Sequence, residues 1–223
     1  MREVLRLIAY NRNPNIGVFA VVNDNIAVLP TTCPGSFVSS VKEALGVEVV
    51  RTNICGTSLV GVMMAMNNNG VLLSKHAEER EILALKGAGL EVGIIEDKYT
   101  ALGNLVLLND RAAIISRLFG KRAVKTMEDV LDCEVAPRNL WGFKTVGSLG
   151  IATNKGALIH PLVKEGELEW VEDVLGVEVD LGTVNRGVGF IKTGLIVNKN
   201  GALIGDATTG PEIVRIEDSL GYL

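Results

Sequence analysis

The chain repeats one pattern five times, and this repetition limits its possible folds more than any other feature. Each copy has an apolar segment, a turn led by Asn, and a second apolar segment. The first apolar segments begin at Val18, Val62, Leu105, Leu149 and Leu195. Because Asn and Gly accept the positive φ of tight hairpin turns, each copy is predicted to begin with two antiparallel strands.

A helical pattern follows each hairpin, with apolar residues three and seven positions apart. The sets are Val38, Val41, Leu45; Ile82, Leu85, Gly89; Val124, Met127, Leu131; Leu168, Val171, Leu175; and Ile213, Ile216, Leu220. Gly46, Gly176 and Gly221 lie just past three of these sets, where a left-handed helix cap is favoured, and Asp132 holds that place in the third copy. The pattern therefore predicts five short helices, each with one buried face.

A third strand follows four of the helices, so the repeating unit is predicted to be ββαβ. These strands begin at Val47, Leu90, Cys133 and Val177. The fifth unit ends too soon to supply its own third strand, whereas the apolar segment Val4–Ala9 at the start of the chain is unassigned. Pairing that segment into the fifth unit would close a ring and remove exposed sheet edges.

We therefore predict an α/β fold with five ββαβ repeats in a closed, pseudo-fivefold ring. It forms a single domain over residues 1–223. The approximate repeats are 16–57, 58–102, 103–145, 146–190, and 191–223 completed by 1–15.

Composition and charge exclude several classes of protein. Hydrophobic residues make up 48% of the chain, which is enough for a large core. The net charge of −4 argues against a protein that holds nucleic acid mainly by neutralising phosphates. Three widely spaced cysteines argue against a disulfide framework or a thiolate zinc site, and no apolar run approaches the roughly 20 residues of a spanning helix. We expect a cytoplasmic protein with no membrane contact, no metal and no cofactor.

Three segments carry a resemblance to a known family. They are Gly182-Thr183-Val184-Asn185-Arg186-Gly187, Ala101-Leu102-Gly103-Asn104, and the stretch Asn154-Lys155-Gly156-Ala157-Leu158-Ile159-His160-Pro161. With the five-unit ring, they resemble the translation initiation factor six family, ribosome anti-association factors of the pentein (α/β propeller) fold. The likeness covers essentially the whole chain and is closer to the archaeal members, which lack the long C-terminal tail of eukaryotic ones.

This resemblance implies a non-enzymatic role in protein biosynthesis and ribosome biogenesis. The protein is expected to bind the large ribosomal subunit on its intersubunit face and to keep the small subunit from joining. A basic ribosomal protein is the expected partner because the chain is acidic, with at most a minor contact to rRNA. A closed ring satisfies its own sheet edges, so we expect a monomer.

Six residues are candidates for partner binding: Asn104, Asn185, Arg186, Arg215, Glu217 and Tyr222. Internal roles remain open for them, because asparagines between units commonly bond their own backbone and charged helix residues are usually solvated. Arg186 either holds loops together through backbone carbonyls or contacts a partner.

Two other functions remain open. Some penteins are guanidino-modifying enzymes with a Cys nucleophile, but the final repeat of this chain has no Cys, and Cys33 is the one loop cysteine open to such a role. His160 is expected to be structural and His76 to be solvated at a helix entry. A ring-shaped adaptor for a non-ribosomal protein is the second alternative.

Overall fold

The computed structural model describes residues 5–222, which form five three-stranded sheets. In each sheet the hairpin's second strand is central, with its first strand antiparallel on one side and a third strand parallel on the other. The strands are β1 (Leu5–Ile8), β2 (Val21–Val22), β3 (Ile26–Leu29), β4 (Glu48–Arg51), β5 (Ala65–Met66), β6 (Gly70–Ser74), β7 (Glu91–Ile95), β8 (Val106–Leu108), β9 (Ala112–Ile115), β10 (Glu134–Pro137), β11 (Gly150–Ala152), β12 (Ala157–Ile159), β13 (Val179–Leu181), β14 (Leu195–Asn198) and β15 (Gly201–Gly205).

The N-terminal strand completes the fifth sheet, as predicted. Strand β1 runs parallel to β15, with Leu5 opposite Ala202 and Ile8 opposite Gly205. The backbone N–H of Asp206 extends this pairing by donating to the carbonyl of Ile8 at 2.9 Å. Val4, the predicted first residue of this strand, lies outside the described residues.

Helices of about three turns follow the central strands of all five sheets. They are α1 (Gly35–Leu45), α3 (Glu79–Gly87), α5 (Lys121–Leu131), α7 (Glu165–Leu175) and α8 (Gly210–Ser219). The predicted left-handed positions are confirmed at Gly46 (φ 66°), Gly176 (φ 63°), Gly221 (φ 67°) and Asp132 (φ 47°). Gly89, predicted on the apolar face of the second long helix, instead lies beyond its end.

In four of the five units the first strand is shorter than predicted because a single helical turn occupies its predicted start; in the fifth unit such a turn precedes the strand, which begins at Leu195, as predicted. We call these five segments the axial turns: Ile16–Val18, α2 (Val60–Met63), α4 (Leu102–Leu105), α6 (Val146–Leu149) and Ile191–Gly194. The predicted strand starts Val18, Val62, Leu105 and Leu149 are therefore wrong, since all four lie in axial turns. An apolar run is typical of either structure, and close packing between units selects the turn here.

Five hydrophobic cores hold the units together, and each core lies between two neighbouring units. One core joins Val28 of the first unit to Leu73 of the second. The next three cores join the second unit to the third, the third to the fourth and the fourth to the fifth. The last core joins Leu203 of the fifth unit to Leu29 of the first. Because these contacts run through a complete circuit, the units form a closed ring, the α/β propeller or pentein fold.

No helix within residues 5–222 is long and apolar enough to cross a membrane.

Candidate functional site

The hairpin turns of the five units meet around one mouth of the central channel, where buried asparagines link neighbouring units. The side-chain amide of Asn23 donates to the carbonyl of Asn67 at 3.0 Å, and that of Asn67 to the carbonyl of Asn109 at 3.4 Å. Asn109 donates in turn to the carbonyl of Thr153 at 3.2 Å, and Asn198 donates to that of Asn23. At four of the five junctions between units, an asparagine side chain therefore donates the same kind of hydrogen bond to the backbone of the neighbouring unit.

The joint between the fourth and fifth units differs. Thr153 stands where the other units have Asn, and its hydroxyl donates to Gly156 within its own turn. The carbonyl of Asn198 instead accepts a hydrogen bond from the hydroxyl of Tyr222 at 2.6 Å, and this hydroxyl is also 2.9 Å from the carbonyl of Gly201. Tyr222 therefore supplies the donor that Thr153 lacks. Burial raises the pKa of its phenol.

The axial turns line the channel towards its other end, and four of them have Gly as their second residue. A Cβ on Gly61 would lie far inside van der Waals contact of the Gly17 carbonyl, and a Cβ on Gly103 would meet the Gly61 carbonyl in the same way. Gly147 packs on the Gly103 carbonyl, and Gly17 on that of Lys192. Close approach of neighbouring backbones thus requires glycine at four of these positions.

Lys192 occupies the fifth position of this series. Its side chain crosses from the fifth unit to the third, and the ammonium Nζ donates to the carbonyl of Gly103 at 2.6 Å. Burial of the ammonium lowers the pKa of Lys192 to about 8. The lysine side chain therefore spans the channel at the level of the glycine series.

Glu212 holds the Gly182–Gly187 segment to helix α8. Its carboxylate accepts hydrogen bonds from the backbone N–H groups of Gly187 (2.9 Å) and Arg186 (3.2 Å), and from the Thr183 hydroxyl (2.7 Å). The same carboxylate caps the helix by accepting from Thr209. Burial alone would raise the pKa of Glu212, but these hydrogen bonds outweigh it and lower the pKa to about 2.

The neighbouring predicted partner residues Asn185 and Arg186 have side chains in different environments. Asn185 is buried, and its side chain bonds Thr208 and the carbonyl of Pro14, which ties the loop to the fifth unit and to the N-terminal segment that completes it. Arg186 is exposed, and its guanidinium makes no hydrogen bond or ion pair with the described part of the chain. Of the two, only Arg186 offers a free side chain to a partner.

The remaining predicted residues are not brought together into one site. Asn104 is half-buried in the axial turn of the third unit. Arg215, on α8, makes an exposed ion pair with Asp180 at 3.0 Å. Glu217 is half-buried on the same helix, whereas Tyr222 lies at the turn of the fifth unit.

An acidic groove lies beside Arg215, between helices α7 and α8. Its carboxylates are those of Glu172, Asp173, Glu178, Asp180 and Asp218, and its one lysine is Lys155. Asp173, Glu178 and Asp218 are exposed, so the groove presents concentrated negative charge to solvent.

An aromatic surface, consisting of Trp141, Phe143, His160 and Phe190, joins the third and fourth units. Trp141 stacks on His160 with ring centroids 5.9 Å apart, and Phe190 meets Phe143 edge-on at 5.8 Å. Trp141 and Phe190 remain 37% and 38% exposed. Trp141 also has a positive φ of 45°, and its N–H donates to Glu167 at 2.8 Å, so the turn fixes its position.

The remaining candidates for chemistry are Cys33 and the two histidines. Cys33 is buried, and burial raises the pKa of its thiol to about 11, so the thiol is protonated at neutral pH. His160 lies in the aromatic surface, where burial lowers its pKa. His76 is exposed. Within residues 5–222, no group of three or more His, Cys, Asp or Glu side chains is placed to hold a metal.

The eIF-6 family model matches residues 5–219, almost the entire chain. The chain belongs to the eIF-6 family. Curated relatives agree: translation initiation factor 6 of Methanocaldococcus jannaschii is 41% identical over 217 residues, which cover 94% of this chain and 95% of the relative. Translation initiation factor 6 of Pyrococcus horikoshii is 36% identical over 220 residues, covering 96% and 97%.

Solved structures of lower similarity include DDAH from Pseudomonas aeruginosa in complex with citrulline. It shares 12% identity at a TM-score of 0.46, covering 74% of this chain and 68% of that one. The agmatine deiminase of C. jejuni with substrate bound shares 13% identity at a TM-score of 0.46, covering 87% and 72%.

Sequence reasoning missed two features of this eIF-6 family member. Lys192 becomes visible only when the axial turns are aligned, since it then stands alone in a column with Gly17, Gly61, Gly103 and Gly147. Trp141 carried no signal, because its role depends on the distant Phe190 and His160.

Proposed function

We propose that this protein binds the large ribosomal subunit at the face that meets the small subunit, and thereby prevents premature joining of the two. The observation that carries the proposal is the eIF-6 family match over residues 5–219, with relatives named translation initiation factor 6. The proposed mechanism is steric and involves no catalysed reaction. The protein is proposed to act as a monomer in the cytoplasm.

The closed ring supports a steric mechanism. A blocking protein must keep its shape while a second large particle competes for the same surface. Interfacial cores and the asparagine links tie each unit to its neighbours, so a force on one unit is shared by the others. A rigid body also loses little conformational entropy on binding.

The acidic groove is the surface best suited to a basic ribosomal protein. Its exposed carboxylates at Asp173, Glu178 and Asp218 lie between the last two long helices, next to the candidate contact residue Arg215. Opposite charges steer two partners together and fix their orientation, whereas like charges would repel an acidic surface such as bare rRNA. The aromatic surface on the third and fourth units adds exposed apolar area of the kind found in interfaces.

Sedimentation of the protein with purified large or small subunits tests this proposal. The wild-type protein is expected to comigrate with large subunits only. The double variant Asp173→Lys/Asp218→Lys should bind about tenfold or more weakly, because it reverses two groove charges. Glu91→Lys/Glu96→Lys alters net charge equally at exposed sites in the second unit and serves as its control.

Equal binding by both double variants would contradict a role for the acidic groove in binding the large subunit. Absence of any comigration by the wild-type protein would contradict the proposed function itself and favour an adaptor for another partner.

A further inference from the structure

Lys192 breaks the symmetry of the channel in a way that the ring does not require. At the equivalent positions the other four units have glycine, which the close packing of axial turns demands. The fifth unit accommodates a long cationic side chain, which reaches the third unit, although these two units are not neighbours in the ring. A charged group therefore lies in the part of the channel whose other described lining residues are uncharged.

The ammonium of Lys192 is incompletely satisfied by the protein. An ammonium has three N–H donors. One bonds the carbonyl of Gly103, and no second acceptor or carboxylate partner for Nζ is found among residues 5–222. Lys192 as a whole residue is half-buried, and its ammonium inside the channel loses part of its hydration without gaining an ion pair, which is costly. The two remaining N–H donors need acceptors that residues 5–222 do not provide.

A cavity of about 80 Å³ adjoins Lys192 inside the channel. One water needs roughly 10–15 Å³ of such space, so the cavity has room for several waters or one small anion. Its walls come from all five units and are mostly apolar, including Val22, Met66, Leu108 and Val197. Lys192 is the one charged or titratable side chain among the described residues that line it.

We propose that this cavity binds a small monovalent carboxylate, of the size of formate or acetate, with its oxygens on the Lys192 ammonium. The carboxylate supplies acceptors for the free N–H groups and the missing counter-charge, and its carbon end faces the apolar wall. Phosphate is disfavoured, because its additional charge and its other oxygens would need donors that the wall lacks. The channel is thus a ligand site separate from the proposed ribosome contacts.

Thermal unfolding at about pH 7 tests this site in wild-type protein and in two variants. Lys192→Gly restores the residue found in the other four axial turns, and Lys192→Met keeps a long side chain without the charge. Sodium acetate, formate, phosphate and chloride are compared at equal ionic strength. Acetate or formate is expected to raise the Tm of the wild type by a few degrees relative to chloride, and to raise neither variant's.

Direct binding is measured by the line width of carbon-13-labelled acetate in NMR. Wild-type protein should broaden the signal, and Lys192→Gly should not. At about pH 10, above the lowered pKa of Lys192, the broadening should be lost because the amine is neutral. Equal responses of wild type and Lys192→Gly, or no carboxylate-specific response in the wild type, would overturn the proposal and leave water alone in the cavity. Neither result bears on ribosome binding.

Discussion

At the scale of single residues, Glu212 shows how one carboxylate joins a loop to a helix. It accepts from Thr183, Arg186 and Gly187 of the loop while capping α8 through Thr209. Each of these bonds favours the ionised carboxylate, so Glu212 keeps its charge well below the pH at which an ordinary Glu titrates.

Glu212→Gln is therefore expected to destabilise the protein by about 1–2 kcal/mol at neutral pH, as charge-assisted hydrogen bonds are lost. The folded-state pKa is below the unfolded value of 4.5, so the stabilisation is present above pH 4.5 and fades as the pH falls towards 2. Urea unfolding at about pH 7 and pH 3 should show the gap between wild type and variant closing in acid.

Glu217→Gln is the matched control, since Glu217 lies on the same helix and its carboxylate bonds no described residue. It should unfold like the wild type at both pH values. A constant gap for Glu212→Gln across this range would contradict the assigned ionisation.

The predicted partner residues differ in whether their side chains are buried and bonded within the protein or exposed to solvent. The GTVNRG segment was recognisable from sequence, but the division within it was not: Asn185 faces inward to Pro14 and Thr208, whereas Arg186 faces solvent. Neighbouring residues in a turn point in different directions, and only the tertiary contacts decide which one is buried. Partner binding by Arg186 remains a prediction.

At the scale of elements, the axial turns decide how closely the units approach. Gly61 packs against the carbonyls of Gly17 and Ala20, so a methyl group there must push neighbouring backbones apart. Gly61→Ala is expected to lower the free energy of unfolding by about 1–3 kcal/mol or more.

Gly87→Ala provides the comparison, because a Cβ at Gly87 meets nothing within 4 Å and the residue lies in helix α3. This change should be neutral or slightly stabilising, since Ala favours helix. Equal stability of the two variants in urea unfolding would contradict the close-packed ring of axial turns.

The hairpins and third strands were predictable because their signals are local. Turn residues such as Asn67 and Asn109 mark the hairpins, and short apolar runs follow the long helices. The axial turns were not predictable in this way. Val62 and Leu105 are apolar residues that suit a strand, and backbone packing from the neighbouring unit selects the helical turn instead.

Strand β1 closes the fifth sheet from the far end of the chain. Deleting residues 1–9 should lower the Tm by far more than the loss of nine ordinary terminal residues, because it exposes the edge of β15 and opens the core beneath Ile8. A synthetic peptide of residues 1–9 should restore part of the loss when added in excess. Unchanged thermal stability after the deletion would contradict closure by this strand.

At the scale of the whole molecule, the ring is least regular between the fourth and fifth units. Thr153 replaces the linking asparagine, Tyr222 supplies the missing donor, and Lys192 replaces the axial glycine. The acidic groove lies between these same two units, and the aromatic surface joins the fourth unit to the third. The repeated unit gives the molecule its rigidity. The differences between units provide the surfaces that distinguish one side of the ring from the other.

The most direct test of the account is subunit joining followed by light scattering. Purified large subunits are incubated with this protein, and small subunits are then added. Joining is expected to fall in proportion to the large subunits occupied, whereas small subunits incubated alone with the protein should remain competent to join once large subunits are in excess. Undiminished joining with the large subunits fully occupied would contradict the steric mechanism.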